Sequence, residues 1–465
     1  MRSLFRSITW GVAVMAVLIV LVSGVALAET RQASVTVATT SGHPVPVSLT
    51  MQEVREAIGP DFPVQWDSLK VLDAQGKEIP YQIDDVDFSG TVSRYDELAF
   101  VASGPVTIQV ADEKTAKPSY PDLFQATAKP DGTTVIDSQD GSFQVVVSKE
   151  GTLSVTRYDK VDSAFVKDLG MLRYAGFPMS TYWADKNLGQ HQEKTTLEEP
   201  LRVVKLAVLP HSPARATVVA NLASDLFPGM RETIIAGIYP TGEIRVENTV
   251  TTYGYSDFTK LETMATRVLA GAADAVHILP VFRYLDWASE LGITPSQYWK
   301  AQGVLQTLNG RDYVVFANTL GPKPPWWGAS YIFASPERWR TNYSASMKTG
   351  VAELLLNVPD VPADASLADS IKAEQWQLEG DEWRTGYFRW IADEMIMIRK
   401  KNNIAVPEGF TSDMSAGDWP LHMIPGDTFQ VQNYYVLYHA TDKNAAIQYL
   451  ENRYQDLSSV QIQPQ

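Results

Sequence analysis

The stretch GIYPTGEIRVENTV, residues 237–250, has the outline of a long hairpin. Thr241-Gly242 joins the run Thr233–Tyr239 to the run Glu243–Thr251. A Xaa-Gly pair between two alternating runs signals a tight turn, because glycine accepts the positive φ that strand-matching turns require. The same pattern recurs upstream. Asp140-Gly141 precedes Ser142–Ser148, and Glu150-Gly151 precedes Thr152–Tyr158. The runs Tyr313–Ala317, Ser330–Ala334, Val351–Leu356 and Phe429–Tyr438 continue it. In this part of the chain, helices are expected over Tyr284–Leu291, extending toward Tyr298–Leu305, and over Asn444–Tyr454. No unit repeats at a fixed period, so the pattern predicts a large two-sheet sandwich over 134–465 and not a propeller.

Working toward the N-terminus, residues 112–133 are rich in Lys, Pro, Ala and Asp without alternation, and read as a linker. Before them lie short strand-like runs. Val35 and Val37 precede the turn Ser41-Gly42-His43-Pro44, and Val45, Val47 and Leu49 follow it. Leu69–Leu72, Ile79–Ile83, Leu98–Val101 and Val106–Val110 come next. One short helix fits Leu49–Ile58, stopped by Gly59-Pro60. Short strands separated by turns predict a small β-sandwich over 29–111. The fold class expected is therefore mostly β: a small N-terminal sandwich followed by a much larger one.

Residues 1–28 read as a signal peptide. Arg2 and Arg6 precede an uncharged, largely apolar run from Ile8 to Val25, and Ala26-Leu27-Ala28 offers the small residues of a cleavage site. The run is also near the length that spans a bilayer, so an uncleaved anchor is the alternative. After cleavage no membrane span is expected. The place expected is outside the cytoplasm: secreted, periplasmic or in the cell envelope. The 465-residue chain carries a net charge of -15, and removing Arg2 and Arg6 makes it -17. That balance disfavours nucleic acid, which needs a basic footprint. Cys is absent, which excludes disulfides, thiolate zinc and a Cys nucleophile. No phosphate loop, nucleophile elbow or His-Glu-x-x-His helix is present, and no nucleotide or redox cofactor is expected.

Two sets of residues carry a resemblance. IPYQIDD (79–85) and DELAF (96–100) resemble the N-terminal module of uncharacterised secreted bacterial families found among polysaccharide-degrading proteins. SFQVVVSKEGTLSV (142–155), followed by GIYPTGEIRVENTV, resembles the opening of a galactose-mutarotase-like β-supersandwich, a fold shared by several polysaccharide lyases. The resemblance implies a polysaccharide or oligosaccharide partner and places 134–465 in that supersandwich.

Asp85, Asp87, Ser89, Gly90 and Asp96 occupy positions 1, 3, 5, 6 and 12 of a calcium loop. Oxygen ligands around a sharp glycine turn suit a hard cation, so calcium is the ion expected, on Asp85, Asp87, Ser89 and Asp96. In the similar families the loop reads Asp-x-Asp-x-Asp-Gly, so Ser89 reduces the ligand set. The alternative is a solvated acidic hairpin whose aspartates cap their own backbone.

Cleavage of a uronate glycan by β-elimination needs a group to neutralise the carboxylate, a base for the C5 proton and an acid for the leaving oxygen. His191 lies in the polar loop Asp185–Thr196, directly after Tyr182-Trp183, and Tyr182 with His191 is the acid–base pair this reading selects. Arg231 could meet a carboxylate in bidentate fashion, with Asn221 as a weaker neutraliser. Trp183, Trp326 and Trp327 could stack on pyranose faces. Each has a plainer alternative: a surface loop, a solvated strand end, a loop plug over the sandwich. Trp376, Trp383 and Trp390 recur every seven positions, a helix-compatible spacing that suggests packing. The acid pairs Asp381-Glu382 and Asp393-Glu394 read as solvated charges. The function expected is an exported polysaccharide-lyase-like enzyme acting on a uronate-containing glycan. The alternatives are a non-catalytic glycan-binding or cell-envelope protein on the same fold, and a mutarotase-like or glycosidase enzyme.

Overall fold

The computed structural model describes residues 28–116, 118–170, 201–225, 229–254, 256–258, 261–280, 297, 300, 303–317, 329–330, 339–356, 371–377, 382–389, 421–423, 425–426 and 428–464. The first part contains β1 (Thr30–Thr36), β2 (Val45–Thr50), helix α1 (Met51–Ile58), β3 (Gln65–Leu72), β4 (Tyr81–Asp84), β5 (Glu97–Ala102) and β6 (Val106–Ala111). Helix α1 begins where Thr50 and Glu53 form a capping box. The Glu53 N–H donates to the Thr50 hydroxyl at 3.2 Å, and the Thr50 N–H donates to the Glu53 carboxylate at 2.7 Å. It ends at Gly59, whose φ of +116° favours glycine. Its apolar stripe, Met51, Val54, Ala57 and Ile58, is buried.

Strands β7 (Phe124–Ala128), β8 (Thr134–Ser138), β9 (Gln144–Val147), β10 (Leu153–Tyr158) and β11 (Val161–Gly170) follow. The next are β12 (Arg202–Val208), β13 (Ala216–Ala223), β14 (Met230–Ile238), β15 (Glu243–Thr252), β16 (Ser256–Phe258), β17 (Leu261–Val268), β18 (Val276–Pro280), β19 (Leu305–Leu308) and β20 (Arg311–Ala317). The chain closes with β21 (Ala329–Ser330), β22 (Trp339–Ser344), β23 (Thr349–Leu355), β24 (Ile371–Gln377), β25 (Glu382–Arg389), β26 (Leu421–Met423), β27 (Thr428–His439), helix α2 (Lys443–Ser458) and β28 (Gln461–Pro464).

The protein is mostly β, with antiparallel sheets. The small module stacks a four-stranded sheet, β28-β1-β6-β3, against a three-stranded one, β2-β5-β4. The large part has a ten-stranded sheet, β12-β13-β14-β15-β27-β23-β22-β18-β20-β19, and a nine-stranded sheet, β21-β24-β25-β17-β11-β10-β9-β8-β7. The 237–250 hairpin is the β14–β15 pair, in register from Met230 opposite Thr252 to Ile238 opposite Ile244. Gly242 in its turn has φ +94°, and a Cβ there would lie 3.1 Å from the Leu437 carbonyl.

Alternation along β27 shows how the layers are assigned. Tyr435 and Leu437 join one core with Ile234, Ala236, Ile244 and Val246, packed on β9–β11 of the nine-stranded sheet. Tyr434, Val436 and Tyr438 join a second core with the small module and with Ala446, Ile447 and Leu450 of α2. The ten-stranded sheet therefore has an inner face toward its partner sheet and an outer face toward the small module. A sheet covered on both faces explains why β13, β15, β22 and β23 are buried at nearly every position.

Three expectations change. Residues 112–133 hold β7, which pairs with β8 at the edge of the nine-stranded sheet, so that segment is more than a linker. The small module is not confined to 29–111, because β28 pairs with β1 from Ala33 opposite Pro464 to Thr36 opposite Gln461. Trp376 and Trp383 lie on the neighbouring strands β24 and β25, with Gln377 opposite Trp383, and not on one helix. The seven-residue spacing comes from a strand, a short connection and a returning strand. The C-terminal helix is longer than Asn444–Tyr454 by one residue at its start and four at its end. The expected helix over 284–305 lies mostly outside the described residues, and Leu305 opens β19. The signal segment 1–27 is also outside them. No described helix is long and apolar enough to cross a membrane.

Candidate functional site

The inner face of the ten-stranded sheet changes character from one part to the next. Across β13–β15 it is apolar: Val218, Ala236 and Val246 are neighbours in register. Where β14 and β15 leave the turn behind, and across β27, β23, β22 and β18, the same face becomes polar. Glu232 and Asn248 stand on β14 and β15, Asn433 and Tyr435 on β27, Glu353 on β23, Arg340 and Asn342 on β22, and His277 on β18. Each is less than 5% exposed. Register places them on one face. Glu353 lies opposite both Tyr435 and Arg340, and Asn342 lies opposite both Val351 and His277.

Buried polar groups require partners, and here they hold one another. The Arg340 guanidinium donates to one Glu353 oxygen from Nε at 3.0 Å and from Nη2 at 2.8 Å. The other Glu353 oxygen accepts from the Asn433 amide at 2.7 Å and from the Tyr435 hydroxyl at 3.0 Å. Burial pulls the Arg340 guanidinium down, and Glu353 opposes that pull. The Asn433 Oδ1 is buried and has no hydrogen-bond partner among the described residues. One row over, the Asn248 amide donates to Glu232. Asn248 and Asn433 are diagonal neighbours, since Asn248 faces Val431 and Val246 faces Asn433. That spacing is about 7–8 Å between backbones.

Burial raises the Glu232 carboxyl to about 8, only partly offset by the Asn248 hydrogen bond. Glu232 is therefore protonated at neutral pH and can give a proton. Glu353 has the Arg340 guanidinium against it.

A second polar network lies on the outer face, where the small module docks. Asp84 and Glu97 face each other on β4 and β5. Arg215 donates to Asp84 at 2.7 Å and to Glu97 at 2.5 Å, and Arg245 donates to Glu97 at 2.8 Å and to Glu247 at 2.5 Å. Gln82 Oε1 accepts from the Arg215 N–H at 3.1 Å. The motifs IPYQIDD and DELAF thus contribute Gln82, Asp84 and Glu97 to an internal staple. Their neighbours Asp85 and Asp96 form the acidic loop. Asp85, Asp87 and Asp96 bring carboxylate oxygens within 4.8 Å of one another. Those oxygens already accept backbone N–H groups. Ser89 N–H donates to Asp85 at 2.9 Å, Gly90 N–H to Asp85 at 2.9 Å and Ser93 N–H to Asp96 at 2.8 Å. Ser89 gives its own hydroxyl to the Thr91 carbonyl at 2.7 Å. Burial, with the Asp87 and Asp85 charges, raises Asp96 to about 6. The donor set is oxygen-only and fits a hard cation, which would have to displace part of this backbone capping.

Tyr182, Trp183, His191, Trp326 and Trp327 lie outside the described residues. Arg231 and Asn221 are described, and both lie on the outer face, opposite the polar row. Arg231 is exposed on β14 and donates to the Met230 carbonyl at 2.8 Å. Asn221 accepts from the Thr233 hydroxyl at 3.0 Å. The structure does not bring them to the polar row. Arg231 is one residue from Glu232, and a one-residue step on a strand reverses the face. The signal that could have found the row is Glu232, Asn248, Glu353 and Asn433, each a polar residue in step with the inward apolar positions of its strand.

No family model matches the chain, and no curated protein matches it. Among solved structures it is similar to a galactose mutarotase related enzyme from Lactobacillus acidophilus, at 12% identity and TM-score 0.32, over 69% of this chain and 99% of that one. It is similar to a putative aldose 1-epimerase from Klebsiella pneumoniae subsp. pneumoniae, at 10% identity and TM-score 0.35, over 90% of this chain and 96% of that one. A heparan sulfate lyase mutant from Pedobacter heparinus aligns at 9% identity and TM-score 0.28, over 71% of this chain and 38% of that one.

Proposed function

We propose that this protein is an exported carbohydrate-active enzyme whose proton-transfer chemistry takes place on the inner face of the ten-stranded sheet. The observation that carries the reading is Glu232, buried beside Asn248 with its carboxyl raised to about 8, on the same face as Glu353. Elimination across a uronate ring is the reaction assigned. Glu232 would protonate the leaving oxygen, and the Asn433 Oδ1 and Asn248 would hold the ring. The base stays with the Tyr182–His191 pair expected from the sequence. A calcium ion on the Asp85–Asp96 loop would stiffen the small module and take no part in the chemistry. A specific observation supports non-catalytic glycan binding as the second reading. Both oxygens of Glu353 are engaged by Arg340, Asn433 and Tyr435, as in a fixed framework.

The test is to incubate the mature chain with a panel of uronate polysaccharides and follow absorbance of the unsaturated product. A rise is expected, reduced about 10²–10⁴-fold by Glu232→Gln, because a positioned proton donor is lost while shape is kept. Binding without any rise would favour the second reading. A rise untouched by Glu232→Gln would move the acid elsewhere.

A further inference from the structure

The small module carries a cleft of about 600 Å³ far in the chain from the inner-face row. Its walls are the start of α1, the segment from Pro60 to Trp66, and the loop 92–94. That volume lies in the range of sites for ligands of a few sugar rings. The walls are held in place. The Gln52 N–H donates to the Arg94 carbonyl at 3.2 Å, tying the loop to the helix, and Arg55 donates to the Pro60 carbonyl at 2.7 Å. Trp66 is half-buried, and it lines the cleft beside Pro63 and Val64.

The charge of the lining is opposite to that of the molecule. The chain as a whole is at -15. The cleft has two guanidinium groups, Arg55 and Arg94, against one carboxylate, Glu56. Glu56 already accepts from the Gln52 amide at 2.8 Å. Arg94 is exposed and lies 4.6 Å from the Tyr95 ring centroid. A planar guanidinium matches a carboxylate in bidentate fashion, and an indole with prolines offers apolar surface to the C–H face of a pyranose. Phosphate alone would leave the apolar wall unused, and a neutral sugar would leave both arginines unused.

We propose that this cleft binds an acidic oligosaccharide, with Arg55 and Arg94 on its uronate carboxylates and Trp66 along a ring. The small module is then a second glycan contact that keeps the chain on its polymer, separate from the proton-transfer row.

Calorimetric titration of the mature full-length chain tests this with β-1,4-mannuronate and galacturonate hexamers, against a β-1,4-mannose hexamer. The expected result is binding of at least one uronate hexamer, weakening with added salt, and roughly tenfold or more weaker for the mannose hexamer. Arg94→Gln and the double variant Arg55→Gln/Arg94→Gln should each cost at least about tenfold in affinity, and Lys149→Gln, at an exposed turn outside the cleft, should leave this binding unchanged. Arg94 is exposed, so its variant should melt with the parent. Trp66→Ala should weaken binding as well, and Trp66→Phe should restore part of it. The proposal is overturned if no uronate hexamer binds, if the mannose hexamer binds equally well, or if binding survives the arginine variants and is lost on changing Glu232. That last outcome would leave the proton-transfer reading standing. Loss of turnover in Glu232→Gln with intact cleft binding would bear on that reading alone.

Discussion

Glu97 and Glu232 are both fully enclosed glutamates, and their titrations run in opposite directions. Burial pushes Glu97 up, but Arg245 and Arg215 outweigh it and hold its carboxyl at about 2. Its contribution to stability is fully present above the ordinary value near 4.5 and is lost as pH falls from there toward 2. Glu232 is raised to about 8. The folded state keeps its proton where the unfolded chain has released it, so its contribution is present below 4.5 and is lost as pH rises from 4.5 toward 8. The melting temperature should therefore rise from pH 2 to about 4.5 on the Glu97 term and decline toward pH 8 on the Glu232 term. Glu232→Gln should flatten the upper slope and leave the lower one. An unchanged upper slope in that variant would mean that Glu232 ionises normally in the fold. Neither state was legible from sequence. Glu97 appeared only as a neighbour of Asp96 in DELAF, because a charge's partner across 118 residues is a property of the folded contact and not of the local pattern.

At the scale of elements, the strand grammar carried well and the polar positions did not. Thr241-Gly242, Asp140-Gly141 and Glu150-Gly151 mark turns whose hairpins the structure contains, since turn chemistry is local. Arg231 and Glu232 are adjacent in sequence and lie on opposite faces of β14. Period two distinguishes the faces but does not say which is inner when both are covered. The Trp376–Trp383 spacing misled for a related reason: seven residues fit two helical turns and also fit one strand returning beside another. The acidic loop is an element whose two readings share the same carboxylates, which either cap the backbone or hold a cation. With calcium bound only to the folded state, millimolar calcium should raise the melting temperature relative to chelator. The gain should vanish in Asp85→Asn/Asp87→Asn. Coincident melting curves in calcium and chelator would leave backbone capping as the loop's role.

For the whole molecule, the C-terminal segment decides whether two modules or one structure exist. The sequence divides the chain at 112–133, yet α2 and β28 return to the small module. Ala446, Ile447, Leu450 and Leu457 are buried in the core shared with β1–β6. Burying such a Leu or Ile side chain contributes roughly 1.5–3 kcal/mol. Arg453 is fully buried. It donates from Nε to Glu243 on β15 at 2.8 Å and from Nη2 to the Pro44 carbonyl at 2.9 Å, so one side chain spans the helix, the ten-stranded sheet and the small module. Asp456, also fully buried, accepts from the Ser41 N–H at 2.9 Å. Removing one partner of a buried pair costs more than the pair contributes, because the charge left behind has lost water and gained nothing. Arg453→Met should therefore cost about 3–5 kcal/mol, and adding Glu243→Gln should return part of it by removing the stranded carboxylate. Ending the chain at Ala440 should destabilise the small module as well as the large sandwich, seen as loss of protection of β1 and β6 amides in hydrogen exchange together with those of β15 and β27. Protection retained in β1 and β6 after the truncation would show that the small module folds on its own and that α2 and β28 only rest against it.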